Sequence, residues 1–350
     1  MTVLRLVGVT LPDGLARELF VLDGRITFTR PAAEVRTIVD GGWLLPGLVD
    51  MHAHPGLSHG DAEDPFRAAC ADLLDQGVTA ARVPGLPVPL PPDADTDPEL
   101  PTLTVAETWL LHSSLGEGMS LHRHVDDLGA AAAAAARPGG WVKIIGDWEP
   151  DADPAPLDQV RAAVLAAHAA GARVAVHCQT AAGCAVAVAA GVDSLEHGMH
   201  LDHALLPTMA AQGTAFVPTI ATFADEAERV RSKPAGPRRD WYLNGLDGLA
   251  PSVAAAVEAG VRVFAGTDSP PRSGLADEIG HLHRAGLSTA DAIGAASWAA
   301  RDWLGWQGLV EGAPADLVAL DTDPRLDLAA LRHPRLVLLR GRIVRSQAVS

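Results

Sequence analysis

Apolar and polar positions alternate with a period of two in four short stretches near the N-terminus: Val3 to Val9, Ala16 to Leu22, Arg25 to Thr29 and Val35 to Val39. Residues two apart share a face of an extended chain, so this pattern predicts half-buried strands. Pro12-Asp13-Gly14 and Asp23-Gly24 supply turns between them, and Asp40-Gly41-Gly42 reads as another. Strands this few and short need a partner. Asp316 to Leu320 and Leu336 to Val344 repeat the pattern at the other end, around the turn Arg340-Gly341-Arg342. The simplest arrangement is a small β-sandwich built from residues 1–44 and 309–350, with residues 45–308 inserted between them.

Inside that insertion the period changes. Short apolar runs alternate with stretches of helical spacing, the mark of parallel βα units. The predicted strands are Leu44 to Asp50, Val78 to Val83, Thr102 to Ala106, Trp141 to Ile145, Arg173 to His177, Ser194 to His197, Ala215 to Pro218 and Val261 to Ala265. Predicted helices include Asp64 to Gln76, Leu157 to Ala170, Ala181 to Ala190, Ala204 to Gln212, Ser252 to Ala259 and Thr289 to Leu304, with Ala130 to Ala136 a plain alanine helix. The expected class is α/β, a (β/α)8 TIM barrel. Pro84 to Pro101 shows no helical period and replaces a barrel helix. Thr219 to Pro251 is long and rich in arginine, and reads as a partly helical cover over the site, with disorder as the alternative.

Chemistry-bearing residues stand at the ends of these strands. His52 and His54 share a face and can reach one point, an arrangement that suits a divalent metal. Lys143 lies inside the apolar run Trp141 to Ile145, where a lysine is costly unless it is paired or has lost its charge. His177 and His197 end successive strands. Gly266 allows a sharp exit after which Asp268 follows, and an aspartate beside a metal can both ligate it and accept a proton from water. Each residue also has an ordinary reading. The histidines can be unrelated core or capping residues, Lys143 the partner of a barrel carboxylate, and Asp268 an N-cap. Glu196 alternates with His197, so it is expected on the opposite face, as a residue that supports the ligands or the fold and does not bind metal itself.

The stretch Pro46 to Pro55, Leu195-Glu196-His197-Gly198, Gly266-Thr267-Asp268, the helix Thr289 to Gly305 and the return segment Gly308 to Val318 together resemble the amidohydrolase superfamily. The nearest likeness is the imidazolonepropionase-like branch, which includes lysine-carbamate dipeptidases and carboxypeptidases. That resemblance implies a site on the C-terminal side of the barrel, where His52, His54, His177 and His197 are metal ligands. Lys143, as a carbamate formed with carbon dioxide, bridges two divalent metal ions, and Asp268 is ligand and general base. Zinc is the first expectation from such donors, with manganese or iron as alternatives. The implied reaction is hydrolysis of a C–N bond (amide, cyclic amide or peptide-like) by a metal-bridging hydroxide. Two departures stand out. Phe223 occupies the region where relatives carry a carbonyl-polarising tyrosine, and Gly146-Asp147-Trp148-Glu149-Pro150 follows Lys143 in place of a glycine-rich segment. Of His112, His122 and His124, His122 is the candidate substrate contact. His59, His200, His203, His281 and His283 are read as non-ligands. The competing functions are a mononuclear deaminase of an aminated heterocycle, which would leave Lys143 idle, and a non-catalytic structural relative.

Composition narrows the partners. A formal net charge of −16 argues against nucleic acid or an anionic membrane, which leaves a small-molecule substrate; a homo-oligomer is compatible with the chain. The sparse, odd set Cys70, Cys178 and Cys184 points to a reducing cytoplasm rather than a disulfide scaffold. No secretory signal is expected from an N-terminus that opens directly into strand alternation. No window approaches the roughly 20 apolar residues that span a bilayer.

Overall fold

The computed structural model describes residues 2–57, 59–94, 96–268 and 274–346. The N-terminal alternation folds into β1 (Val3–Thr10), β2 (Leu15–Leu22) and β3 (Arg25–Thr27), consecutive antiparallel neighbours, with β4 (Val35–Pro46) parallel to β1. Asp40-Gly41-Gly42 is not the expected turn. It lies within β4, where the register against β1 shifts and Gly41 and Gly42 have φ of +99° and +89°. A Cβ on Gly42 would overlap the Leu320 carbonyl oxygen. The glycines therefore bulge the strand instead of reversing it, and β4 runs on toward the chemistry.

The alternating region follows as β5 (Leu48–Asp50), α1 (Pro65–Asp75), β6 (Val78–Pro84), β7 (Thr102–Ala106), β8 (Trp109–His112), β9 (His122–Val125), α2 (Leu128–Ala135) and β10 (Trp141–Ile145). It continues with α3 (Leu157–Ala169), β11 (Arg173–Cys178), α4 (Ala181–Ala190), β12 (Ser194–His197), α5 (Leu206–Gln212) and β13 (Ala215–Val217). After these come α6 (Ile220–Arg231), α7 (Pro237–Glu258), α8 (Leu275–Arg284), α9 (Thr289–Gly294) and α10 (Trp298–Leu304), then β14 (Leu317–Leu320), β15 (Leu336–Leu339) and β16 (Arg342–Ser346). The region 219–251 is thus helical, in α6 and most of α7. Among the described residues of 84–101, no helix replaces the missing barrel helix.

The parallel strands form two sheets, β5-β6-β7 and β13-β12-β11-β10-β8-β9. The third predicted strand, Thr102 to Ala106, forms as β7 and pairs with β6, while β8, a further strand beyond Glu107-Thr108, pairs with β10. The eighth, Val261 to Ala265, is not a continuous strand. It touches β13 through the bridge Phe216–Val263, and Met51 donates to the Ala265 carbonyl at 2.9 Å. The expected eight-stranded barrel is therefore not hydrogen-bonded as one closed sheet. Both chain ends enter a single seven-stranded sheet, ordered β16-β15-β14-β4-β1-β2-β3, where the sequence suggests two stacked sheets. Leu6, Leu19, Val39, Leu317 and Leu338 share its buried core. Met1 and residues 347–350 of the proposed terminal unit lie outside the described residues. The three cysteines are free and buried, and no helix among the described residues is long and apolar enough to cross a membrane.

The bulge gives a direct test. A Cβ on Gly41 would point into open space, whereas one on Gly42 would not. Gly41→Ala should cost about the 1–2 kcal/mol of a left-handed alanine, and Gly42→Ala clearly more. Urea unfolding midpoints of the two variants measure the difference, and equal costs would refute the bulge as a packed feature.

Candidate metal centre

Asp50 ends β5 and is fully buried. Its carboxylate accepts the His52 amide at 3.0 Å, the Thr267 amide at 3.1 Å and the Thr267 hydroxyl at 2.6 Å. Burial pushes this carboxyl up to about 6 against the pull of those bonds. The exit of the first strand is thereby clamped to the residue before Asp268. A further tie follows, since the Asp268 amide donates to the His52 carbonyl at 2.5 Å.

The orientation of each imidazole follows from its second nitrogen. His54 Nδ1 lies 2.7 Å from the Gly85 carbonyl oxygen, which can only accept, so Nδ1 carries a proton and in the neutral ring Nε2 bears the free lone pair. His52 Nδ1 lies 2.6 Å from Glu196 Oε2. Burial opposes ionisation of Glu196, yet Arg82 and Lys143 hold it below the usual carboxylate range, so it too acts as acceptor. His52 Nε2 and His54 Nε2 then face one another at 3.2 Å, with Asp268 Oδ1 at 3.4 and 3.3 Å from them. Three lone-pair atoms converge with no proton among them. That donor set fits a cation and little else.

His177 and His197 complete the ring, their centroids 4.6 Å apart and His197 5.0 Å from His52. Ligand atoms of His52, His197 and Asp268 all lie within 4.8 Å of one another. His197 Nδ1 is 2.8 Å from the Thr219 hydroxyl. Burial, reinforced by neighbouring cationic groups, holds His52, His177 and His197 well below the ordinary imidazole range, so they are neutral and able to ligate. Lys143 is buried in β10 and its Nζ has no hydrogen-bond partner. Burial brings its amine down to about 8, offset in part by Glu196 and Asp268. His52, His54, Lys143, His177, His197 and Asp268 all line one cavity of about 370 Å³.

Three non-glycine residues here adopt the left-handed backbone region: His197 (φ +68°), Thr219 (+50°) and Asp268 (+62°). Strain of this kind gathers where a side chain must be aimed against its local preference. At His197 it also breaks the strand alternation. Glu196, expected on the opposite face, therefore lies inside, behind His52.

The same cavity is walled by Trp109, His122 and Trp148. Trp109 packs against Gly85, where φ is +120° and a Cβ would collide with the indole. The His122 ring stands edge-on to Trp148, with centroids 4.8 Å apart. Its Nδ1 accepts the Met119 amide at 3.1 Å, which puts the proton on Nε2, a buried atom with no partner. Burial lowers this imidazole to about 4, so it is a neutral donor. His112 bonds Ser114 and His124 is exposed. Phe223 stands edge-on to His197, and Tyr242, the chain's single tyrosine, sits behind it with its hydroxyl donating to the Phe223 carbonyl. Arg229 pairs with Glu226 on its own helix, while Arg238 reaches the cavity rim paired with Glu149 at 3.0 Å.

Sequence reasoning passes over Arg82. Its guanidinium is fully buried, donates to the Met51 carbonyl at 2.6 Å and grips both Glu196 oxygens at 2.9 and 2.8 Å. A charged residue inside the apolar run Val78 to Val83 is the available signal. Asp147 stands out in the sequence only as part of a departure; it accepts from Gln179 and Thr180 and stands 4.0 Å from His177 Nε2.

The amidohydrolase family profile matches residues 130–344. The chain is 40% identical over 354 residues to an uncharacterized protein of Mycobacterium tuberculosis (strain ATCC 25618 / H37Rv), covering 96% of this chain and 94% of the relative. It is 30% identical over 172 residues to ochratoxinase of Aspergillus niger, which is 47% of this chain and 35% of that one. A solved prolidase complexed with N-methylphosphonate-L-proline superposes with a TM-score of 0.82 at 22% identity, over 99% of this chain and 100% of the other, a likeness of fold.

Removing Arg82 would leave Glu196 a buried charge without its counter-ion. Arg82→Met should cost about 3–5 kcal/mol in urea unfolding. The double variant with Glu196→Gln should lose less than the two singles added together. A loss below about 1 kcal/mol for Arg82→Met would contradict the role of the pair.

Proposed function

We propose that this chain, which belongs to the amidohydrolase family, is a metal-dependent hydrolase of the imidazolonepropionase-like branch that cleaves an amide, cyclic amide or peptide-like C–N bond. The observation that carries this is the donor set: imidazoles whose Nδ1 atoms have fixed acceptors turn Nε2 onto Asp268 beside an unpartnered buried amine. His52, His54, Lys143, His177, His197 and Asp268 would hold a pair of divalent ions, with zinc best matched to these donors and manganese or iron as alternatives. When bound, such ions supply Lewis acidity and lower the pKa of water.

The residues supply the rest. An amine brought down to about 8 is partly uncharged near neutral pH. It can add to carbon dioxide, forming an N–C bond and releasing a proton, which replaces a repelling ammonium with an anionic oxygen donor. Asp268 faces the cavity with its side chain 23% exposed. It accepts the proton of the attacking water and returns it to the leaving nitrogen. His122 Nε2–H is the donor we assign to the substrate carbonyl or a neighbouring acceptor, since Phe223 has no donor and the Tyr242 hydroxyl is committed elsewhere. Trp109 and Trp148 favour an apolar or aromatic group beside the cleaved bond. The prolidase and ochratoxinase likenesses agree with an amide or peptide-like substrate. Residues 45–308 would form the catalytic unit and 1–44 with 309–350 its support.

Metal analysis, intact mass under bicarbonate and a hydrolysis panel of N-acyl amino acids, dipeptides, lactams and lactones test this together. About two metal equivalents are expected, with a mass gain of one carbon dioxide that disappears in Lys143→Ala. That variant should lose more activity than the roughly 10–100-fold typical of removing an outer partner. A metal-free protein with unmodified Lys143 and no amide hydrolysis would overturn the proposal.

A further inference from the structure

α6 begins at Ile220, directly after Thr219, and a threonine in that place ordinarily caps the helix with its own hydroxyl. Here Thr219 makes no cap bond: its backbone is left-handed (φ +50°), which turns its hydroxyl away from the first turn and onto His197 Nδ1 at 2.8 Å. The first-turn amides are taken from another helix. Glu278 of α8 accepts from Ile220 through Oε1 at 3.1 Å and from Ala221 through Oε2 at 2.7 Å. Glu278 is fully buried, and burial pushes its carboxyl up to about 8 against the pull of the Ala221 and Ile220 amides, which favour the ionised form that accepts with both oxygens. One residue further on, the Thr222 hydroxyl donates to the Thr267 carbonyl, adjacent to Asp268. The opening turn of α6 is therefore tied to His197 on one side and to the Asp268 segment on the other, with Glu278 closing the turn.

We propose that Glu278 is a positioning residue for the metal centre. By holding the Ile220 and Ala221 amides from α8 it fixes the left-handed turn at Thr219 that aims the Thr219 hydroxyl at His197. The inference rests on His197 being a metal ligand. Two oxygens are needed for two amide donors. A glutamine offers one, and its NH₂ would face an N–H. Without Glu278 both amides lose their acceptor, and the strained turn at Thr219 is free to relax toward an ordinary backbone conformation. His197 Nδ1 then loses its fixed partner, and with it the ring angle that aims Nε2 at the centre.

Full-length wild type, Glu278→Gln, Thr219→Val and the double variant, each stripped with a chelator, are titrated with Zn²⁺ against a competing indicator. Amide exchange at Ile220 and Ala221 is followed in the metal-free proteins. Each single variant should bind zinc roughly 10–100-fold more weakly. The double should be within about threefold of the weaker single, because both act through one bond. Exchange at Ile220 and Ala221 should speed up in Glu278→Gln. Leu19→Ala, in the terminal-sheet core, serves as a variant of lowered stability whose zinc affinity should stay at the wild-type value. Zinc binding unchanged in Glu278→Gln, or losses that multiply in the double, would overturn the inference. A wild type that binds no zinc would instead remove the metal reading, and this inference with it.

Discussion

Glu196 is the carboxylate on which the interior of this protein balances. Its oxygens are shared by the Arg82 guanidinium, the Ser194 hydroxyl at 2.5 Å and His52 Nδ1. Arg82 in turn lies over the Trp141 ring, 4.7 Å from its centroid, and donates to the Met51 carbonyl. A buried ion pair is weak evidence of net stability, because desolvation opposes the attraction. What this one supplies is orientation. It ties β6, β12 and the segment leading to His52 into one rigid unit, and it settles which nitrogen of His52 carries a proton.

The lone-pair convergence is built by the same means at each corner. Gly85 does for His54 what Glu196 does for His52, and the Thr219 hydroxyl holds the ring of His197 in place. None of these partners lies near its histidine in sequence. Each is a separate long-range contact, and all are needed before the centre has a defined shape. The left-handed residues at 197, 219 and 268 show where the backbone yields to that requirement.

This division explains how much is legible in the chain. His52, His54, Lys143, His177, His197 and Asp268 can be grouped in advance because each stands in or just after an apolar run, and strand ends of parallel βα units meet on one side. Their supports cannot. Glu278 is one acid on an amphipathic helix, and nothing local marks it as the cap of a different helix. The eighth strand reads as continuous from apolar spacing, although only isolated bridges form, and Asp40-Gly41-Gly42 reads as a turn from its chemistry, although its glycines serve a bulge. The seven-stranded sheet is legible only as two sets of strands in need of partners, because pairing between chain ends more than 250 residues apart leaves no local trace.

Gly85 joins two properties that are separable in principle. Its carbonyl orients His54, and the missing side chain leaves room for the Trp109 indole that walls the cavity. A larger residue at 85 would displace the wall and tilt the carbonyl in one stroke. Conversely, a smaller residue at 109 would uncover the peptide that steadies the ligand. The shape of this wall is therefore mechanically linked to the aim of His54 in the donor cluster, and a change in one calls for a compensating change in the other.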